Sequence, residues 1–151
     1  MWPFQVADSV TRGRICGDKQ GTRIDMNEGT GLKRAGAVLM FLGIALGAFG
    51  AHGLEKTLTE NGRIDTWETA VFYHLIHGLA VWILGYVASG RRKVAYCFVG
   101  GVLVFSGSLY LLSLTNILWL GAITPIGGLL FLAGWATLIF RPNIEGVSGG
   151  N

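Results

Sequence analysis

Four long apolar segments decide which class of protein this chain can form. They cover residues 35–54, 69–89, 94–114 and 118–140, and none of them contains Asp, Glu, Lys or Arg. The hydrocarbon core of a bilayer is about 30 Å thick, and about 20 apolar residues cross it as a helix. Because every segment reaches that length, the sequence predicts an all-α integral membrane protein, a four-helix transmembrane bundle.

The composition agrees with a membrane environment. The chain is 51% hydrophobic and 14% charged, with a mean hydropathy of +0.50. Its 24 glycines fit as well, because membrane helices approach one another through small residues. Gly43 and Gly47 form a G-x-x-x-G pair in the first span. We expect this pair to pack helices together, either within one chain or between two copies.

The distribution of charge predicts the orientation. Lys33 and Arg34 precede the first span, residues 91–93 between the second and third spans are all basic, and the loop at 55–68 holds four acids against two bases. Under the positive-inside rule, both termini and the 91–93 loop are cytoplasmic. The basic pI of about 9.1 is therefore explained by topology, and we expect no nucleic-acid partner.

The segments outside the spans are short and polar. We expect residues 1–31 to form a disordered cytoplasmic tail, residues 32–140 to form the membrane domain, and residues 141–151 to form a second short tail. Met26 is a possible alternative start, which leaves open whether residues 1–25 belong to the native chain. Cys16 and Cys97 both fall on the reducing side of this topology, so we expect no disulfide.

Two local signals shape the predicted spans. Asn61-Gly62 predicts a turn in the long loop, and Trp67 is expected at the membrane interface. Pro125 lies inside the fourth span, where it lacks an N–H and clashes with the preceding turn. Either the helix kinks there, or Thr124 caps a new helix that has Pro125 at its first position.

Polar side chains from all four spans are predicted to gather in the outer leaflet. Such groups are costly in lipid unless they are paired, so we expect them to face one another between the helices, in a cluster open or nearly open to the outer side. The candidate site residues are His52, Glu68, Tyr73, His77, Ser106, Ser108, Tyr110 and Thr124.

Each candidate also has a simpler structural interpretation. His77 fits a neutral core histidine bonded to Tyr110 or a serine, and His74 fits a residue facing lipid headgroups. The remaining interpretations are an interfacial His52, a first-turn acid at Glu68, and hydroxyls at Ser106 and Ser108 that bond to their own helix.

No enzyme or metal motif is present in the sequence. We therefore predict a non-enzymatic protein with no catalytic residue, no metal and no cofactor. One alternative stays open, in which two of His52, His74 and His77 serve as axial ligands of a haem, or the bundle binds a quinone.

Several segments, in order along residues 32–140, carry a family resemblance. They are GAFGAHG at 47–53, ETA at 68–70 with Tyr73 and His77, FSGSLY at 105–110, LG at 120–121, TPIGG at 124–128 and GW at 134–135. Together they closely resemble the domain-of-unknown-function 423 family of small bacterial membrane proteins, which has transmembrane protein 256 as an animal relative. One departure is His74, where the family pattern usually has Gln after the Tyr. The resemblance implies a membrane topology, with a bacterial inner membrane as the expected location, and carries no activity, substrate or cofactor.

Three functions are compatible with this sequence. The first is an accessory or assembly subunit, packed in the lipid bilayer against a larger membrane protein complex or its own copies, as its small size and glycine-rich helices suggest. The second is a transporter or channel component for a small solute or proton, which would use the outer-leaflet His/Tyr/Ser cluster. The third is the haem- or quinone-binding protein.

Overall fold

A computed structural model describes the backbone of residues 19–87 and 91–140, with side chains from residue 29 onward. Within those ranges every regular element is a helix, and no strand occurs. The elements are α1 (Lys19–His52), α2 (Glu55–Glu60), α3 (Ile64–Val87), α4 (Arg92–Gly101), a π-helix (Val102–Ser106), α5 (Gly107–Thr115), a 3₁₀-helix (Leu118–Ala122) and α6 (Thr124–Phe140).

The four predicted spans are confirmed as helices long and apolar enough to cross a membrane. They run over Gly29–His52, Ile64–Val87, Arg92–Thr115 and Leu118–Phe140. The third is continuous through α4, the π-helix and α5. The second begins five residues before its predicted start, because the backbone N–H of Trp67 already donates to the Arg63 carbonyl at 3.0 Å.

The predicted boundary of the N-terminal tail is wrong. Helix α1 begins at Lys19, so residues 19–31, which we expected to be disordered, are helical. A helix that is already nucleated in the membrane span adds one hydrogen bond for each further residue, which favours its extension. Residues 1–18, including Cys16, and residues 141–151 lie outside the described residues. Cys97 is a half-buried free thiol.

Helix α3 lies at the centre of the arrangement. It packs along α1 on one side and against α4, the π-helix and α5 on the other. Helix α6 packs along α4 and the π-helix, on the far side from α1. The largest cluster of buried apolar side chains joins α3 to α4 and α6 around Val81 and Phe98, neither of which is exposed.

Glycines hold α1 close to α3. They recur every seven residues, which keeps one face of α1 toward α3. An added Cβ at Gly43 would lie 2.7 Å from Leu75 Cδ2, and one at Gly36 would collide with the backbone N of Trp82. The predicted G-x-x-x-G pair therefore packs within the chain. The glycines of this face are Gly29, Gly36, Gly43 and Gly50, with Gly47 beside them.

Both local predictions about chain breaks are resolved. Gly62 has φ of +65°, which L residues rarely adopt, so Asn61-Gly62 is a turn as predicted. Asn61 Nδ2 also donates to the Ser113 carbonyl at 2.9 Å, which fixes the turn to the end of α5. At Pro125 a new helix begins, as in the second alternative, because a short 3₁₀-helix ends at Ala122 and α6 begins at Thr124. Thr124 is the first residue of α6 rather than its cap, so Pro125 is the second residue and not the first.

Candidate functional site

His74 and Tyr110 form the first polar contact in the interior. His74 Nδ1 lies 3.3 Å from the Tyr110 hydroxyl, and His74 is only 5% exposed. The interpretation of His74 as a residue facing headgroups is therefore wrong. Its position on α3 turns it toward both α1 and α5, since an added Cβ at Gly43 would lie 3.5 Å from His74 Cγ.

The Trp67 ring covers the His74–Tyr110 contact. Its ring centroid lies 4.7 Å from that of Tyr110, and its indole N–H donates to the Leu46 carbonyl at 3.1 Å. Trp67 is 3% exposed, so its ring packs between the helices, and its depth in the membrane stays a prediction. The indole N–H is satisfied by the α1 backbone, which removes the need for water. The interior polar groups are therefore covered at this end, although we predicted a cluster open or nearly open to the outer side.

Ser108 and Thr124 form the second contact and join α5 to α6. Their hydroxyl oxygens lie 2.9 Å apart, and Ser108 also donates to the Phe105 carbonyl at 2.9 Å. That second bond is the bond to its own helix that we expected of Ser108. Thr124 is placed here because α6 begins at this residue after the 3₁₀-helix.

His77 forms the third contact, at the middle of α3. The Trp135 indole N–H donates to His77 Nε2 at 3.2 Å, and His77 Nδ1 lies 2.8 Å from the Tyr73 carbonyl. Because Nε2 accepts, Nδ1 carries the proton and donates, so the bonding pattern assigns a neutral ring. His77 is thus the core histidine that we considered, with Trp135 as its partner in place of Tyr110 or a serine.

Aromatic rings enclose His77 on its remaining sides. The Phe131 ring stacks on it with centroids 3.5 Å apart, and the Phe98 ring meets it edge-on at 5.3 Å. Tyr73 stacks at 6.0 Å but stays 37% exposed. Both nitrogens of His77 are engaged, so this residue has no free nitrogen for an axial haem ligand.

Ser106 is the exception among the buried hydroxyls. It ends the π-helix, is 0% exposed, and its Oγ has no hydrogen-bond partner among the described residues. Ser106 and Tyr110 are four residues apart on one helix face, so Ser106 lies one turn from the His74–Tyr110 contact. π-Helical turns are also frequent at functional sites, so the π-helix is a second feature that supports Ser106 as a candidate site residue.

Two predicted members do not join the interior cluster. His52 at the end of α1 and Glu68 in the first turns of α3 are both exposed. Glu68 instead lines a half-open cavity of about 440 Å³ between α1, α2 and α3. Their polar side chains lie near helix ends, where water or headgroups solvate them, so they need no partner between the helices.

Two further cavities flank the His77–Trp135 bond. One of about 500 Å³ is lined by Tyr73, His77, Pro125 and Trp135 among others. The other, of about 350 Å³, runs from Trp135 to Arg91. Among the described residues, no three His, Cys, Asp or Glu side chains are grouped so that they could hold a metal ion.

Comparison with known proteins places this fold in a family. Residues 46–128, more than half of the chain, match the family described as "Protein of unknown function (DUF423)". The chain belongs to that family. Over 109 residues it is 50% identical to a UPF0382 membrane protein of Staphylococcus haemolyticus, covering 69% of this chain and 88% of the relative. A UPF0382 membrane protein of Bacillus subtilis is 41% identical over 110 residues, covering 69% of this chain and 89% of the relative. No solved structure matches.

The DUF423 region contains two of the three interior contacts in full. His74–Tyr110 and Ser108–Thr124 lie within residues 46–128, whereas Trp135 lies beyond them. The sequence analysis named Trp135 only as part of the family resemblance and did not include His74 among the candidate site residues. The available signal was the indole itself, because an N–H in the middle of an apolar span needs an acceptor within the protein.

Proposed function

We propose that this DUF423 protein is a non-enzymatic accessory or assembly subunit of a larger membrane complex in the bacterial inner membrane. The observation that supports it best is the satisfied bonding of His77. Both ring nitrogens are bonded within the protein, and Phe98, Phe131 and Trp135 surround the ring. A residue that handles a solute or proton needs an open coordination position, and His77 has none.

The interior bonds serve helix packing in this proposal. His74–Tyr110 joins α3 to α5, Ser108–Thr124 joins α5 to α6, and His77–Trp135 joins α3 to α6. Each such bond stabilises a membrane bundle by about 0.6 kcal/mol on average. Together they make a rigid scaffold, which suits a subunit whose surface is its functional part.

The outward face of α1 is the surface that we assign to the larger complex. Among the described residues, helix α1 packs mainly along α3, and Ala45 and Ala48 are exposed on its far side. Small residues let a second membrane helix approach closely. Under the positive-inside rule, the basic residues at the Arg91 end support a cytoplasmic position for that end and for both termini.

Site-specific photocrosslinking in intact membranes tests this proposal. A photoreactive residue at Ala48 should give one discrete heterologous product, and one at the equally exposed Ala133 of α6 should give none. Replacing Ala45 with Phe should abolish the product. Purification in mild detergent that always yields the protein alone, together with no product at Ala48, would contradict the proposal. A reporter active only in the cytoplasm, fused after Asn151, tests the orientation.

Transport of a small solute or proton is a second candidate, favoured by one observation. Ser106 Oγ is buried without a partner at the end of a π-helix, one turn from the Tyr110 side of the His74–Tyr110 contact. In liposomes, this function predicts a flux that falls when His77 is replaced with Ala and persists when the exposed His52 is replaced with Ala. A flux unaffected by His77→Ala would remove the candidate.

A further inference from the structure

The cavity between α3 and α6 at the basic end of the bundle has the shape of an acyl-chain cleft. Its walls are aliphatic side chains of α3 from Ile76 to Val87, with Phe98 of α4 and Trp135 and Leu138 of α6. Its volume is about 350 Å³, and it is half-open sideways. Because the walls are apolar and the opening faces the lipid, the molecule that enters has a hydrocarbon part.

The length of this cleft matches one leaflet. Ile76 and Val87 are eleven residues apart on α3, which corresponds to about 16 Å at 1.5 Å per residue. Half of a hydrocarbon core of about 30 Å is about 15 Å. Trp135 lines both this cleft and the cavity of about 500 Å³ beyond it, so its indole separates the two.

Positive charge lies at one end of the cleft. Arg91 is among its lining residues, and Arg92 and Lys93 follow directly. Within residues 29–87 and 91–140, every acidic residue lies between positions 55 and 68, near the opposite end of the bundle. The residues that line the cleft therefore include one cation, Arg91, and no acidic residue. Basic pockets between membrane helices recognise anionic lipid headgroups.

We propose that this cleft binds one phospholipid with an anionic headgroup, drawn from the leaflet at the Arg91 end. An acyl chain lies along α3 between Ile76 and Trp135, and the phosphate group contacts the Arg91 guanidinium. The planar guanidinium donates two parallel hydrogen bonds to phosphate oxygens, which an ammonium group does not. The site shares Trp135 with the His77–Trp135 contact and is separate from the α1 surface assigned to a partner.

Lipid retention measured by native mass spectrometry tests the site. The full chain is reconstituted with equal amounts of phosphatidylglycerol and phosphatidylcholine and then released from the membrane. We expect one phosphatidylglycerol per chain to be retained in preference to phosphatidylcholine. Arg91→Gln should lower that retention about fivefold, the effect of one cation near an anionic surface. Arg34→Gln, an exposed arginine of α1 near the same end, should leave it unchanged.

Two outcomes of that experiment overturn the proposal. Equal retention of the two lipids by the unaltered chain shows that the cleft has no headgroup preference. Equal losses in Arg91→Gln and Arg34→Gln show that the preference comes from general surface charge.

A narrowed cleft tests the acyl chain separately. Ala80 lines the cleft, so Ala80→Leu should reduce retention of both lipids, whereas Ala133→Leu on the exposed side of α6 should not. Retention unchanged by Ala80→Leu places the acyl chain elsewhere and overturns the proposal.

If Ala80→Leu does not fold, a second experiment measures the quenching of tryptophan fluorescence by phosphatidylglycerol that is brominated in its acyl chains. Trp135→Phe should then remove part of the quenching, and unchanged quenching contradicts the site.

Discussion

The two sides of α3 are packed by different means. Toward α1, glycines at heptad spacing let the two backbones approach, and Gly36 meets the backbone of Trp82. Toward α4 and α6, bulky rings fill the space, with Tyr73 and Phe105 centroids 4.6 Å apart and His77 stacked on Phe131. One side is a seam of small residues, and the other is a layer of aromatic rings.

The difference shows why polar contacts concentrate on one side. Where the glycines of α1 meet the α3 backbone, few polar side chains lie between the two helices. Van der Waals contact is therefore enough to hold these helices together. Large rings pack with gaps, and indole, imidazole and hydroxyl groups among them need partners in lipid. The bonds of His77 and Ser108 lie on the aromatic side, as do the cavities of about 500 and 350 Å³, whereas the cavity of about 440 Å³ lies on the glycine side.

The largest expected effect breaks the glycine seam. Gly36→Leu places a side chain where the Trp82 backbone lies, and a helix backbone does not move aside as a flexible side chain does. We expect the free energy of unfolding to fall by about 3 kcal/mol or more, measured by reversible unfolding in mixed micelles. Gly31→Leu is the matched control, because an added Cβ there meets nothing within 4 Å. Equal losses in the two variants would show that the seam is not close-packed.

A second prediction asks whether backbone contact also matters on the aromatic side. An added Cβ at Gly127 of α6 would collide with the backbone N of Phe105, whereas one at Gly128 would lie 3.9 Å from the Phe105 ring. Gly127→Ala should therefore cost about 1–3 kcal/mol. Gly128→Ala should be neutral or slightly stabilising, because Ala favours the helix over Gly. The same unfolding assay compares them, and a harmless Gly127→Ala would contradict a rigid contact between α6 and the third span.

The sequence predicts the packing of α3 against α1 better than the packing of α3 against α4 and α6. Length and hydropathy suffice for the four spans, and small residues suffice to mark Gly43 and Gly47 as packing positions. The heptad of Gly29, Gly36, Gly43 and Gly50 was also readable, since a fixed spacing of seven keeps one face toward a neighbour.

The aromatic side was less predictable because its contacts depend on rotation and on helix irregularities. His74 and His77 are three positions apart on α3. A small error in the predicted rotation of this helix therefore exchanges the neighbours that the two rings are expected to contact. The π-helix adds further uncertainty, since each π-turn shifts the register of the residues after it. That is why Ser106, Ser108 and Tyr110 were correctly grouped on one helix while the partners of His74 and His77 were not.

A third prediction measures the His77–Trp135 bond. His77→Phe and Trp135→Phe each leave one polar group unpaired, whereas the double variant leaves neither. A double-mutant cycle should give a coupling energy between about 0.6 and 1.7 kcal/mol. Trp119→Phe, at a position 65% exposed, is the control and should show no coupling to His77→Phe. Additive effects in the main cycle would mean that the ring contacts alone stabilise this part of the bundle.

The smallest expected effect concerns Ser106, and its sign is the informative quantity. Ser106 Oγ is buried without a partner, so Ser106→Ala removes an unsatisfied group and should be neutral or stabilise the fold by up to about 1 kcal/mol. Ser113 is equally buried, but its Oγ donates to the Leu109 carbonyl at 2.8 Å. Ser113→Ala should therefore be neutral or destabilising by up to about 1 kcal/mol. If Ser106→Ala is the more destabilising of the two, the Ser106 hydroxyl has a bound partner in the membrane. The aromatic side would then hold a polar ligand. The transport function requires such a ligand, whereas the satisfied bonding of both His77 nitrogens argues against it.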